Sequence, residues 1–230
     1  MLFEDRQGFE KAINGVYVGL TDRALYGRTL SAGIIDFMAQ YYTYGSGSDM
    51  NSMVGAYRYE EDEIKAIFQS AWEKAYALIV NCNIIIEKCD AKREVLSDVY
   101  YGLYKGEAIA LRAMLHLDML RLFGPVYDDA SKTEKSIPYV TNSDSEISPL
   151  LSAEEILNFV IEDLKVALDL LKSVDPILTE GVRNESNNDG GDNSLYYRQY
   201  RMNYYAVKAL LARAYAWGHD GRNALIVAEE

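Results

Sequence analysis

Apolar side chains recur along most of this chain at intervals of three and four, the spacing of helices that bury one face. Between Phe9 and Leu20 they fall at Phe9, Ile13, Val16, Tyr17 and Leu20. A long second helix is predicted from about Glu61 to Lys88, striped by Ile64, Phe68, Ala71, Trp72, Ala75, Tyr76, Ile79 and Ile86 and interrupted at Asn83. A third starts near Ser97 and carries Tyr101, Tyr104, Ala108, Leu111, Leu115, Met119 and Leu122. It is expected to stop at Gly124-Pro125, a left-handed glycine followed by a proline that cannot continue the helix.

The fourth helix has an explicit start. Ser152-Ala153-Glu154-Glu155 is a capping box, in which the Ser152 and Glu155 side chains each satisfy the other's backbone amide. Ile156, Phe159, Val160, Leu164, Ala167 and Leu171 then make its buried face. A fifth helix is predicted from about Arg201 to Trp217, and a sixth from near Arg222 to Glu230. Three stretches resist helix. Residues 27–60 are rich in Gly, Ser, Met and Tyr, residues 125–150 hold extended pieces such as Ile137-Pro138-Tyr139-Val140, and residues 173–198 include the polar run Asn187–Asn193. Loops of this length in a domain are functional or disordered, and the aromatic-rich first stretch is the candidate for function.

The last two helices carry a repeat signal. Leu211-Ala212-x2-Tyr215 fits the first helix of a tetratricopeptide repeat, Gly218–Gly221 makes the turn, and Ala224 falls where the repeat needs a small residue. Ala228 stands where a bulkier residue is usual. An ordinary helical hairpin with alanines at its contact is the competing reading, and the spacing across the turn favours the repeat. The expected fold is therefore all-α, with helix pairs stacked as a tetratricopeptide-like superhelix and long irregular loops. Residues 1–230 are expected to be one helical domain of a longer chain, with 201–230 an incomplete repeat, because such a repeat buries its open face only against a neighbour.

Composition narrows the partners. With 23 Lys+Arg against 35 Asp+Glu the net charge is −12, which repels phosphate backbones and disfavours nucleic acid. Nineteen tyrosines supply rings with an apolar face and a polar tip, suited to cores, interfaces and sugars. Cys82 and Cys89 lie seven residues apart in one helix, about 10.5 Å along its axis, too far for a disulfide. Met1–Asp5 has neither a basic start nor an apolar stretch, as expected of a cytoplasmic chain or of one whose export signal has been removed.

Catalytic patterns are sparse, and no catalytic, metal or cofactor residues are assigned. His116 and His219 lack the His-x3-His spacing of a zinc hydrolase, and no Gly-x-Ser-x-Gly elbow or phosphate-binding glycine loop occurs. A calcium loop counted from Asn187 would end on Arg198, where a bidentate Glu is required. Carboxylates are abundant, so a glycoside hydrolase stays an alternative, although no pair is marked by position.

One stretch resembles a known family. The helix from Gly106-Glu107-Ala108 through Leu111-Arg112-Ala113 to Phe123-Gly124-Pro125-Val126 is similar to the central signature of the SusD/RagB-like family. Trp72-x3-Tyr76-x2-Ile79-x3-Asn83 resembles its preceding helix. Ile137-Pro138, Glu162-Asp163-Leu164-x2-Ala167 and Ala209–Tyr215 recur in the family's order, so the resemblance runs from about residue 9 to 230. It implies an exported lipoprotein of the Gram-negative outer surface that binds oligosaccharide without cleaving it and sits on a SusC-like TonB-dependent transporter for nutrient uptake. It also implies a chain about twice this length. The family's lipidated cysteine has no counterpart near Met1, as expected of a trimmed leader. A tetratricopeptide adaptor for a protein partner is the alternative from another class.

Under that resemblance, the loop between the first two helices contributes to the glycan site. Tyr41, Tyr42 and Tyr44, with Asp49 and Asn51 as polar partners, are the candidate residues; Tyr57 and Tyr59 belong to the same cluster. Trp72 is a further candidate, although its helical phase with Phe68 and Tyr76 also fits core packing. Asn83 and Arg112 are read as structural, an amide satisfying loop backbone and a guanidinium pairing with a carboxylate such as Glu107 or Asp118.

Overall fold

The computed structural model describes residues 2–42, 47, 49–144, 146–184 and 193–229. Among them run eight α-helices: α1 (Arg6–Leu20), α2 (Ile34–Met38), α3 (Met50–Gly55), α4 (Asp62–Ala91), α5 (Asp98–Phe123), α6 (Ala153–Leu171), α7 (Tyr204–Trp217) and α8 (Gly221–Glu229). The only strands among these residues, β1 (Lys135–Pro138) and β2 (Leu150–Ser152), form an antiparallel pair in which Ile137 faces Leu151 and Pro138 faces Leu150. The all-α expectation holds, with helix pairs and long irregular connections. Contacts gather the chain into two units, Met1–Asn14 with Ile79–Glu230, and Gly15–Leu78.

In the first unit successive helices pack on one another, α5 on α6, α6 on α7 and α7 on α8. α5 is the centre. Sixteen of its 26 residues are buried, so its apolar character runs all round rather than along one stripe. Two glycines let α6 come close. A Cβ on Gly106 would sit 2.9 Å from Leu171 Cγ, and one on Gly102 would sit 2.9 Å from the Leu170 carbonyl oxygen.

The end of α5 differs from expectation. Gly124 is extended (φ −87°, ψ 172°), not left-handed. The residue before a proline is pushed toward extended backbone, and that preference decides the geometry here. The capping box of α6 is present: Ser152 Oγ accepts the Glu155 amide at 3.3 Å, and Glu155 Oε2 accepts the Ser152 amide at 2.8 Å. Phe159, expected in the buried face of α6, is 43% exposed and instead lies against the Tyr139 ring at 5.2 Å.

Two buried ionic clusters pin the irregular segments to this frame. Arg112 forks onto Asp163 of α6, with two N···O separations of 2.8 Å. Its remaining arm reaches Asn83 Oδ1 at 2.9 Å, and the Asn83 amide donates to the carbonyls of Val140 and Asn142. The amide role read for Asn83 is therefore met, whereas the partner of Arg112 is neither Glu107 nor Asp118. Those two lie five and six residues away along the helix and project from other faces. Glu107 takes Arg198 and Arg201, and Asp118 takes Arg121 and Arg213. In the second cluster Arg198 also forks onto Asp175 at 2.9 and 3.0 Å. Burial works against its charge, yet Glu107 and Asp175 outweigh it and leave its pKa raised.

Candidate functional site

The candidate site lies in the Gly15–Leu78 unit. After α1 the chain folds tightly on itself over residues 21–33. Leu25 is fully buried, the Leu30 amide donates to the Leu25 carbonyl at 2.8 Å, and both the amide and the hydroxyl of Thr29 donate to the Arg23 carbonyl at 3.0 and 2.8 Å. At Gly33 a Cβ would lie 2.7 Å from the Arg28 carbonyl oxygen, so the close turn into α2 admits only glycine.

Two short helices follow in a stretch expected to resist helix. Five and six residues are too few to display a period, and packing decides their conformation. α3 begins at Asp49, whose carboxylate accepts the Asn51 and Ser52 amides at 3.1 and 3.2 Å and the Ser52 hydroxyl at 2.6 Å. These bonds, the Ser52 hydroxyl first, hold the Asp49 carboxyl below its ordinary pKa. Ile34, Met53, Val54 and Ile64 form a small core that joins α2 and α3 to the start of α4, with Phe37, Tyr59 and Phe68 packed around it. The Gln40 amide closes the arrangement on the Gly55 carbonyl at 2.8 Å.

Between these elements opens a cavity of about 550 Å³, within the range of small-ligand sites. Ile34, Phe37, Met50 and Ile67 give it apolar surface, and Thr29, Asn51 and Ser70 give it hydrogen-bonding groups. The charged residues that line it are Arg23 and Arg28. Asp22, next in sequence, is engaged elsewhere: the Ala24 amide and then Lys74, at 3.2 Å, hold its carboxyl below the ordinary range.

Of the candidate residues read from sequence, Asn51 lines the cavity. Tyr42 is 57% exposed and its ring lies 5.7 Å from that of the cavity residue Phe37; Tyr41 beside it is 77% exposed. Asp49 is occupied in capping α3. Trp72 is half-buried with its ring 4.5 Å from Tyr76, and it does not line the cavity. Tyr44 lies outside the described residues. Tyr57 and Tyr59 meet edge to face at 6.0 Å, and Tyr59 meets Phe68 in the same way at 5.9 Å. Sequence reasoning missed Arg23, Arg28 and Phe37. An excess of acid over base could have drawn attention to cations in an aromatic-rich loop.

The first unit holds a smaller cavity of about 450 Å³ beside the Tyr127 and Trp217 rings, which lie 4.8 Å apart. Its histidine, His219, occupies a left-handed turn position (φ 60°) and bonds the Tyr127 carbonyl at 2.8 Å. Among the described residues no group of three or more His, Cys, Asp or Glu is placed to hold a metal ion.

A SusD-like family model, described as "Starch-binding associating with outer membrane", matches residues 5–179. A SusD-like protein, P38 of Formosa agariphila, is 35% identical over 99 residues, 42% of this chain and 17% of that protein. Among solved structures, a SusD superfamily protein from Bacteroides thetaiotaomicron superposes with a TM-score of 0.70 at 20% identity, covering 98% of this chain and 45% of its own. A SusD-like carbohydrate binding protein from Bacteroides vulgatus gives 0.70 at 20% identity, covering 98% and 44%. At such identity the likeness establishes the fold. The chain spans less than half the length of these relatives.

Proposed function

This chain belongs to the SusD-like family, and we propose that it captures oligosaccharide at the bacterial outer membrane without cleaving it. The observation that carries the reading is the cavity of the Gly15–Leu78 unit, which combines apolar surface with hydroxyl and amide groups and has two exposed tyrosines at residues 41 and 42 close by in sequence. Sugar rings need both kinds of surface, a flat apolar face for their C–H side and polar groups for their hydroxyls. In this reading Tyr41, Tyr42 and Tyr44 offer ring faces and Asn51 bonds hydroxyls. Asp49 holds Asn51 in register through its cap, and Trp72 contributes through its contact with Tyr76.

The non-catalytic part of the reading is supported by His116, the buried histidine. Its Nδ1–H donates to the Arg112 carbonyl and its Nε2 accepts the Val140 amide, both at 3.0 Å, so neither nitrogen is available to a substrate. Docking on a SusC-like TonB-dependent transporter, uptake of the captured glycan and lipid anchoring at the cell surface complete the proposal through the family. Among the described residues no helix is long and apolar enough to cross a membrane. Residues 201–230 act in this proposal as a tetratricopeptide-like pair within one longer helical domain.

Calorimetry against an oligosaccharide panel tests the reading. Binding without turnover is expected, with affinity lowered at least about tenfold in the double variant Tyr41→Ala/Tyr42→Ala and no loss of stability, because both side chains are exposed. Turnover of a bound glycan that vanishes on a carboxylate change would establish the hydrolase alternative.

A further inference from the structure

We infer that the cavity of the Gly15–Leu78 unit takes an acidic sugar, one carrying a carboxylate or a sulfate ester, with Arg23 and Arg28 meeting its charge. The inference rests on the reading of this cavity as a glycan site and adds the class of glycan.

The pairing of arginines across the chain makes the case. With 35 acidic residues against 23 basic ones, a guanidinium here has carboxylates to spare. Arg6, Arg58, Arg93, Arg112, Arg121, Arg183, Arg198, Arg201 and Arg213 all stand in ion pairs. Among the described residues Arg23, Arg28 and Arg222 do not, and two of these three line one cavity. The adjacent acid, Asp22, is turned to Lys74 instead.

Both arginines also stand on fixed backbone. The Arg23 carbonyl accepts two bonds from Thr29, and the Arg28 carbonyl accepts the Ser31 amide and hydroxyl at 3.2 and 3.3 Å. Fixing the Cα positions in advance lowers the ordering cost of meeting a ligand. A guanidinium suits this task because its planar fork matches the oxygens of a carboxylate or a sulfate, and charge-assisted bonds are about twice as strong as neutral ones. A neutral sugar would leave both charges as they are, solvated and without influence on selection. An anion would gain them together with Thr29, Asn51 and Ser70 for its hydroxyls.

Affinity gel electrophoresis of the 230-residue chain tests this, in gels containing polygalacturonate or alginate (carboxylated), carrageenan (sulfated), or starch or galactomannan (neutral). The net charge of −12 sets a polyanion and the protein against each other, so retention by an acidic gel cannot arise from overall charge. The expected result is retention by at least one acidic polysaccharide, reduced at least about tenfold in Arg23→Gln/Arg28→Gln and unchanged in Arg222→Gln. The two acidic arms identify which acid is read. Circular dichroism checks that the exposed double variant keeps its helices. Retention by neutral gels alone, or equal retention of the double variant, overturns the inference while glycan capture stands. Retention by none overturns both.

Discussion

Arg112 and Asp163 meet as a planar fork, Nε to Oδ2 and Nη2 to Oδ1, each at 2.8 Å. The pair joins α5 to α6, and Tyr139 donates to the same carboxylate at 2.6 Å, so the segment after β1 is fixed by the same charges. Burial disfavours the Arg112 charge, but Asp163 more than offsets it and the guanidinium pKa is raised. The arginine of the family signature thus works as an internal tie among α4, α5, α6 and the 139–142 segment.

Replacing Arg112 by Met should therefore cost more than the loss of one surface ion pair. Asp163 would be left with its main partner gone, and breaking a buried pair from one side costs about 3–5 kcal/mol. Guanidinium denaturation followed by circular dichroism should show this as a lower midpoint with little change in slope. Arg112→Lys, which keeps the charge and loses the fork, should fall in between.

His116 gives a pH dependence of known sign. Burial, countered in part by its bond to the Arg112 carbonyl, pushes its pKa from 6.5 down to about 3. The folded protein thus refuses a proton that the unfolded chain accepts. Its contribution to stability is complete above pH 6.5 and falls as the pH drops toward about 3, with a slope approaching about 1.4 kcal/mol per pH unit where only the unfolded chain is protonated. Urea midpoints between pH 4 and pH 7, with the carboxylate background taken from His116→Gln, should show a shallower profile in the variant.

What could be read from sequence follows from range. The six long helices showed their period, and the Ser152–Glu155 cap announced α6, because these are interactions within a few residues. α2 and α3 are shorter than the pattern that would reveal them, and a core shared by Ile34, Met53, Val54 and Ile64 holds them in place. The partner of Arg112 lies 51 residues away, and no local rule selects Asp163 over nearer acids. Arg23 and Arg28 were illegible for a related reason. Whether an arginine is paired depends on where every acid comes to rest, and a cavity between three elements exists only after they pack. Asn51 was legible as a polar residue among tyrosines, but its place on the cavity was not.

Two glycines in helices should respond oppositely to alanine. At Gly106 the added Cβ would meet Leu171 Cγ at 2.9 Å and Cδ2 at 3.1 Å, so α5 and α6 must part. Overpacking of this kind costs about 1–3 kcal/mol. At Gly15 of α1 nothing lies within 4 Å of the new methyl, and alanine removes the entropy penalty of glycine. That change should stabilise by about 0.5–1 kcal/mol. Melting temperatures of the two variants, moving in opposite directions, check the close approach of α5 and α6.

The two cysteines should be inert while α4 is folded. Cys82 and Cys89 are both buried free thiols, each pushed up to about 12 by removal from water. At pH 8 a thiol of that pKa is thiolate in only about one molecule in ten thousand, and the thiolate is the species that reacts. Seven residues of helix keep them about 10.5 Å apart along the axis, beyond the reach of a disulfide. An aromatic disulfide reagent at pH 8 should therefore release almost no chromophore from the native protein and two equivalents once guanidinium has unfolded it. Diamide treatment of the native chain should give no intramolecular bridge by mass spectrometry. Labelling of either thiol in native buffer at the rate of a free cysteine would mean that the middle of α4 opens easily, and the stacking of α4 residues 79–91 within the first unit would have to be redrawn.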